Sequence, residues 1–187
     1  MKKIIILFSI LLINSMLFSK FGGYSLQIGY HSSIFVGDDI PGKKVESLSG
    51  FNLGGGAEFE ISRNLSFSQQ ILFCTKGSRA NMIGDIYLYN FFLYLECPAL
   101  LSITVPIFPQ IQLLAGPAFN FKLLALNNDG MLNNVKSLDL TGNLGVRYNL
   151  EKFYFELRFS RGLINFLESD ADLKNQTLSL NFGMRLK

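Results

Sequence analysis

His31 is the only histidine of this 187-residue chain, and serine and acidic residues follow it closely. Together with Ser32, Ser33 and Asp38, the imidazole has the residue types of a nucleophile, a base and an orienting acid, as in acyltransferases and proteases. Serine and aspartate are, however, ordinary residues near a loop, and no nucleophile motif surrounds them. We therefore expect no enzyme, and the enzyme alternative predicts a loss of activity in His31→Ala.

Two further groups have residue types that bind ligands or metals. Glu58 and Glu60 are two residues apart, so a strand would point both carboxylates to one side, as a catalytic or cation-binding pair requires. No set of partner ligands accompanies them, so ion pairs inside the protein are the expected role. Cys74 and Cys97 fall on opposite faces by parity, which favours two free thiols over a disulfide. No metal-ligand spacing or phosphate-binding glycine loop occurs, and we expect no cofactor.

Strands must position these residues, because apolar side chains recur at every second position through most of the chain. The alternation is clearest from Leu138 to Tyr148, where Leu, Val and Tyr oppose Asp, Thr, Asn, Gly and Arg. Similar segments begin at Tyr24 and lie at 51–61, 65–73, within 86–105, and at 111–123, 153–159 and 178–186. The pattern predicts eight strands.

The predicted connections alternate in length. They are long at 36–49, 75–85, 126–137 and 164–175, and short at 62–64, 106–110 and 150–152. Long outer loops and short periplasmic turns are typical of bacterial outer membrane barrels. The segment 86–105 exceeds the roughly 9–11 residues that a strand needs to cross a bilayer, so we expect part of it to project.

The two faces of the predicted strands differ in charge and in side-chain size. The face of small residues carries five acidic and four basic side chains: Glu58, Glu60, Glu96, Lys122, Asp139, Arg147, Glu156, Arg158 and Arg185. The bulky face carries no charge in mid-strand, and its aromatic residues fall often near strand ends, as in aromatic girdles: Tyr24, Phe51, Phe73, Tyr87, Tyr148 and Phe153. A lipid-facing Arg or Lys costs about 2–4 kcal/mol at the midplane, so a bilayer enforces this segregation. A soluble, lipocalin-like barrel would instead carry many Lys and Glu outside.

The nearly balanced charges predict a plugged interior. Across the hairpin joining the sixth and seventh strands, Arg147 falls beside Glu156, and Glu96 is within reach of Lys122 across the hairpin before it, which turns at 106–110. Paired charges without a continuous path of small residues argue against a pore.

Two prolines mark an irregularity in the predicted wall. Pro98 and Pro117 cannot donate to a ladder, and they lie nearly opposite each other on neighbouring strands. The expected consequence is a bulge or bend that sets curvature. The sharper alternative is a weak point in the wall that admits a lipid or a partner.

The N-terminus has the pattern of an export signal. Lys2 and Lys3 precede an almost wholly apolar run from Ile4 to Ile13, which ends at Asn14. The run is too short for a spanning helix, so we expect residues 1–19 to be removed, leaving 20–187 as the barrel domain. Loss of Lys2 and Lys3 lowers the basic residues from 17 to 15 against 14 acidic ones, and this near-neutral chain has no nucleic-acid footprint.

Three segments resemble the PorT-like outer membrane β-barrel domain family. Residues 94–101 (YLECPALL) resemble its Y-L-E-x-P-L-L segment, 113–117 (LLAGP) its L-x-A-G-P, and 155–163 (FELRFSRGL) its penultimate strand. The resemblance covers nearly all of the predicted mature chain and implies a fold more than an activity. The family often ends on an aromatic residue, whereas this chain ends Leu186-Lys187.

The fold class predicted from these observations is all-β, an eight-stranded antiparallel up-and-down transmembrane β-barrel of the bacterial outer membrane. We expect outer membrane lipid and the barrel insertion machinery as partners, and an envelope protein as a further one. The expected role is structural or a surface-binding one through the outer loops. The alternative is an accessory subunit of an outer membrane secretion or assembly complex.

Overall fold

The computed structural model describes residues 20–37, 45–81, 87–127, 130–131, 136–164 and 174–186. The proposed export signal and Asp38 lie outside these ranges. The strands are β1 (Lys20–Val36), β2 (Val45–Ser62), β3 (Leu65–Asn81), β4 (Tyr87–Val105), β5 (Phe108–Asn127), β6 (Gly130–Met131), β7 (Leu138–Leu150), β8 (Phe153–Gly162) and β9 (Lys174–Leu186). Among the described residues, no helix is long and apolar enough to cross a membrane.

Eight long strands close into one barrel. Each pairs antiparallel with its neighbour in the order β1-β2-β3-β4-β5-β7-β8-β9, and β9 returns to pair with β1. The two residues of β6 pair only with the end of β5. The predicted eight-stranded antiparallel barrel is confirmed.

Tight turns tie the strands together at one end of the barrel. Within the described residues they lie at Arg63–Asn64, Pro106–Ile107 and Glu151–Lys152, close to the predicted short connections. Glu151 has a φ of 37°, in the left-handed region that a two-residue hairpin turn demands. The other ends of these strands lie at the opposite end of the barrel. By the barrel convention, the turn end is periplasmic and the other end is outer.

The wall is much taller on one side. Strands β1 to β5 have 17–20 residues, whereas β7, β8 and β9 have 13, 10 and 13. Because tight turns hold the strands level at the periplasmic end, the extra length of β2–β5 projects at the outer end. The predicted long connection at 75–85 is wrong, since β3 continues to Asn81 and pairs with β4 up to Asn81↔Tyr87. The sequence predicts that β4 alone extends beyond the lipid. In the structure, the four neighbouring strands β2–β5 all extend at the outer end.

The barrel is apolar outside and polar inside. Outward residues such as Leu144 are largely exposed, with 63% of the residue's surface accessible. Inward residues such as Glu156 and Arg147 are buried, with 0% and 2% accessible. The girdle aromatics Tyr24, Phe51, Phe73, Tyr148 and Phe153 all lie exposed on the outer face. The side chain of Tyr87 is outside the described set. This inversion of the usual soluble pattern is what a hydrocarbon solvent selects.

Candidate functional site in the barrel lumen

A buried ion cluster occupies the middle of the lumen. Glu156 on β8 accepts hydrogen bonds from Arg147 Nε and Nη2 at 3.0 and 2.8 Å, and from Arg158 Nε at 2.7 Å. Asn181 Nδ2 on β9 donates to the same carboxylate at 3.3 Å. Arg147 and Glu156 are direct partners in the β7–β8 register, so a short hairpin brings the pair together. One carboxylate thus holds two buried guanidinium groups.

Hydrogen bonds tie this cluster to the opposite wall. Arg158 Nη2 on β8 donates to Gln70 Oε1 on β3 at 2.8 Å, across the lumen. The Tyr154 hydroxyl donates to Gln27 Oε1 at 3.1 Å, and Gln27 Nε2 lies 3.5 Å from Asn52 Oδ1. The central cluster therefore consists of Gln27, Asn52, Gln70, Arg147, Tyr154, Glu156, Arg158 and Asn181. It closes the lumen at mid-height.

Below the central cluster, the lumen opens towards the periplasmic turns as a cavity of about 690 Å³. Arg185 forms its inner end, with Nε 3.3 Å from Glu58 Oε2 and Nη2 2.5 Å from Asn149 Oδ1. Arg147 Nη1 approaches Glu58 Oε1 at 3.9 Å, which links the cavity to the cluster. Glu60 lines the open mouth and is exposed, so it lies outside the interior network in which the sequence placed it.

Above the central cluster, a second ion pair spans two strands. Lys76 Nζ on β3 lies 2.6 Å from Glu96 Oε2 on β4, donates to Asn120 Oδ1 at 3.0 Å, and stands 5.7 Å from the Tyr94 ring centroid. The predicted partner of Glu96, Lys122, is wrong: the register places Tyr94 opposite Lys122. A register shift between Leu93 and Tyr94 displaces the upper part of β5.

The outer part of the lumen is filled by polar and aromatic side chains. Asp139 on β7 is buried, and neither carboxylate oxygen has a hydrogen-bond partner among the described residues. Phe35 on β1 and Phe92 on β4 meet edge to face with centroids 5.5 Å apart. The enclosed void beside Lys76 measures only about 10 Å³, roughly one water. These side chains and the central cluster pack inside the described part of the barrel.

The two prolines leave a gap in the β4–β5 ladder. Pro98 pairs with Ala118, the residue after Pro117, and the next pair is Leu101 with Ala115. Two pairs are missing between them, yet the register does not shift there, so the expected bulge is wrong at this position. The missing backbone donors interrupt the hydrogen-bond ladder, but the strands keep the same register on both sides of the gap.

Side-chain amides cover the carbonyl groups left by this gap. Gln69 Nε2 donates to Pro98 O at 3.1 Å, and Asn143 Nδ2 donates to Gly116 O at 3.3 Å. An unpaired carbonyl in hydrocarbon is costly, so these two amides stabilise the wall where the prolines weaken it.

The described residues of the hydrolase-like alternative do not form a catalytic arrangement. His31 is buried, and its Nε2 is hydrogen-bonded to Thr75 O. Ser33 Oγ donates to a β3 backbone carbonyl at 2.8 Å, and Ser32 lies on the other face of β1. Asp38 is outside the described residues. His31 and Ser33 thus tie β1 to β3 over the intervening strand β2, where Gly50 leaves room for the imidazole.

The cysteines are free and lie apart. Cys74 is buried inside the barrel, and Cys97 faces outward and is half-buried. Among the described residues, no group of three His, Cys, Asp or Glu side chains is arranged to hold a metal ion.

Sequence reasoning missed several members of the site. The sequence predicts a connection at Lys76, because the β3 alternation is clear only as far as Phe73. Tyr154, Gln27, Gln70 and Asn181 carry no charge, although parity placed Tyr154 and Gln27 on the inner face. These side chains come together only when the barrel closes. The alternation within a single strand does not predict which side chains then meet.

Known proteins resemble the chain in sequence pattern and in fold. The family model described as outer membrane protein beta-barrel domain matches residues 6–185. Neisserial surface protein A superposes with a TM-score of 0.60 at 14% identity, over 89% of this chain and 99% of that one. Ail of Yersinia pestis, crystallised with the heparin analogue sucrose octasulfate, gives a TM-score of 0.51 at 20% identity, over 88% and 99%. These identities show the fold alone. No curated protein matches in sequence.

A closed antiparallel barrel with an apolar exterior and a lumen filled by ion pairs agrees with that family match over nearly the whole chain. The chain belongs to the outer membrane protein β-barrel domain family.

Proposed function

We propose that the protein is a non-enzymatic outer membrane barrel that binds a ligand at the cell surface through the projecting ends of β2–β5 and the outer connections. The observation that carries the proposal is the combination of a blocked lumen with a tall, one-sided wall. A blocked lumen leaves no passage for transport in the described residues, whereas a rigid wall holds loops in position for contacts.

The central cluster supports the first half of the proposal. Arg158 Nη2 on one wall donates to Gln70 Oε1 on the opposite wall at 2.8 Å. A hydrogen bond therefore spans the lumen, in addition to the packing of the side chains. Such buried groups are fully satisfied only in this one arrangement, which makes the barrel a rigid support.

The outer ends of the tall strands support the second half. Arg79 Nη2 and Glu46 Oε2 form a partly exposed ion pair at 2.5 Å near the top of β2–β3. Ail, whose barrel has the same fold, was crystallised with a heparin analogue, so a sulfated polysaccharide is a reasoned first probe for a surface ligand.

Export and family relationships complete the proposal. Residues 1–19 would act as a removed export signal, the insertion machinery would place the barrel in the membrane, and outer membrane lipid would surround it. The segments 94–101, 113–117 and 155–163 support a relationship to the PorT-like branch of such barrels.

The test shortens the projecting wall without touching the membrane part. Gly77 and Phe91 are direct partners, so joining them by an Asn-Gly turn removes the top of the β3–β4 hairpin in register. We expect whole cells carrying the intact protein to bind immobilised heparin, and cells carrying the shortened protein to lose that binding. Glu60→Gln, at the periplasmic mouth, is the control and should bind normally.

Both variants must first show the mobility shift on unboiled gels that a folded barrel gives. Equal binding by the intact and shortened barrels, or no binding by either, contradicts the assignment of the tall wall as the ligand-binding surface.

One observation favours a second role, that of an accessory subunit in an envelope complex. The outward face of β5 stays apolar through Phe121 and Leu123, both exposed, and Leu95 on β4 is the register partner of Phe121. An apolar surface above the lipid suits a protein partner. Co-purification of a stoichiometric partner in mild detergent, lost in Leu123→Ser, would support this role, and isolation of the barrel alone would contradict it.

A further inference from the structure

The outward face of β8 and β9 changes from apolar to cationic at its outer end. From Phe153 to Phe159, every outward residue of β8 is aromatic or aliphatic, and the next one is Arg161, which is exposed. Its register partner on β9 is Gln176, and Lys174 is the next outward residue above Gln176. Two cationic side chains and an amide therefore stand together on neighbouring strands.

Arg161 differs from the arginines of the lumen in having no carboxylate partner among the described residues. Arg147, Arg158 and Arg185 each lie within 4.0 Å of a glutamate. The side chain of Arg161 makes no ion pair or hydrogen bond within the described part of the chain. A guanidinium group always carries its charge, so the counter-ion of Arg161 comes from its surroundings.

The position of Arg161 defines which surroundings these are. A lipid-facing arginine is costly at the bilayer midplane and nearly without cost at the interface. Arg161 directly follows the apolar belt on the side where the wall is lowest, since β8 ends at Gly162. Its end of the barrel is opposite the tight turns, so the interface that it meets is the outer one.

We propose that Arg161, together with Gln176 and Lys174, binds a phosphate group of an outer-leaflet lipid headgroup. The planar guanidinium fork matches two phosphate oxygens, the amide of Gln176 is a further donor, and Lys174 adds a positive charge. This site deepens the proposed role of outer membrane lipid as a partner, and it is independent of the surface ligand at the tall wall.

The space around Arg161 fits a lipid and not only a free anion. Phe159 and Leu178 lie directly below the cationic group on the same outward face, so acyl chains would extend from the headgroup along the apolar belt. On the other flank, the register partner of Arg161 is Gly142, where an added Cβ would meet only Leu163 at 3.6 Å or more. Position 142 therefore adds no side chain of its own beside the guanidinium group.

The test measures binding of a short-chain phosphatidic acid to the purified full chain in a neutral detergent. The probes for the source of the phosphate are inorganic phosphate and the diacylglycerol with the same acyl chains. The variants are Arg161→Gln, Arg161→Lys and, as the matched control, Arg63→Gln, an exposed arginine at the periplasmic turn.

We expect Arg161→Gln to weaken phosphatidic acid binding by about tenfold, as loss of one bidentate charge-assisted contact implies. Arg161→Lys should fall between this variant and the wild type, because it keeps the charge and loses the fork. Arg63→Gln should bind as the wild type does. Neither diacylglycerol nor inorganic phosphate alone should match the affinity of the lipid.

Equal affinity of Arg161→Gln and the wild type would overturn the proposal, as would an equal loss in Arg63→Gln. Inorganic phosphate binding as tightly as phosphatidic acid would show that the lipid is not the ligand. The shortened β3–β4 hairpin should leave phosphatidic acid affinity unchanged, so failure of the surface-ligand proposal is distinguishable from failure of this one.

Discussion

Glu156 is the residue whose loss should destabilise the barrel most. In Glu156→Gln the side chain keeps its shape, but Arg147 and Arg158 remain buried without their shared carboxylate. The nearest remaining acidic oxygen to Arg147 is Glu58 Oε1, at 3.9 Å. Removing one partner of a buried ion pair costs about 3–5 kcal/mol, and the retained amide oxygen still accepts one hydrogen bond. We expect a loss of about 3 kcal/mol in the free energy of unfolding.

The arginine variants give a ranking that a general packing defect would not give. In Arg147→Gln, Glu156 still has Arg158 as its counter-charge, with Nε 2.7 Å away. The loss should therefore be smaller than in Glu156→Gln. Glu60→Gln makes the same chemical change at an exposed site, and we expect an effect within about 0.5 kcal/mol.

The assay is urea-induced unfolding in lipid vesicles, followed by far-UV circular dichroism and by mobility on unboiled gels. The chain contains no tryptophan, so tryptophan fluorescence cannot report the transition. A Glu156→Gln barrel within 1 kcal/mol of the wild type, or one more stable than Arg147→Gln, would refute the reasoning about the central cluster.

Three other variants or measurements test separate parts of the structure. Leu144→Arg places a charge in the lipid belt and should cost about 2–4 kcal/mol or block insertion, whereas Thr177→Ser, which faces inward and keeps its hydroxyl, should insert normally; equal effects on heat-modifiable gel mobility would contradict the assigned faces. Gly116→Ala would put a Cβ 2.0 Å from Ala99 O and should lower the urea midpoint, while Gly142→Ala, 3.6 Å from its nearest neighbour, should not; equal midpoints would contradict the close approach at the proline gap. The wild-type barrel should show no steady conductance in planar bilayers, because the central cluster closes the lumen, and a stable open current would contradict that closure.

Local alternation was enough to predict the strands and their faces. Arg147 and Glu156 could be paired from sequence because a two-residue turn leaves little freedom in the register. Glu96 could not be paired correctly, because its partner Lys76 lies beyond the point where the β3 alternation fades. Along β5, the register places Asn120 opposite Glu96, and Lys122 lies two residues further, opposite Tyr94.

Contacts across the lumen could not be predicted in the same way. Tyr154 and Gln27 lie on β8 and β1, which are separated by β9, and they meet only because the closed barrel turns both side chains to the same axis. The sequence predicts a bulge or bend at Pro98 and Pro117, since missing donors usually relax by adding a residue. Here the amides of Gln69 and Asn143 supply the donors, and the register stays intact.

The most direct measurement is methyl NMR of the barrel in nanodiscs that contain lipid with a nitroxide on its acyl chain. Outward leucines such as Leu101, Leu144 and Leu180 should broaden strongly, while the buried leucines Leu72, Leu100 and Leu114 should keep their intensity. Broadening of the second group, or sharp signals from the first, would contradict the placement of apolar side chains against hydrocarbon and of charged ones within the lumen.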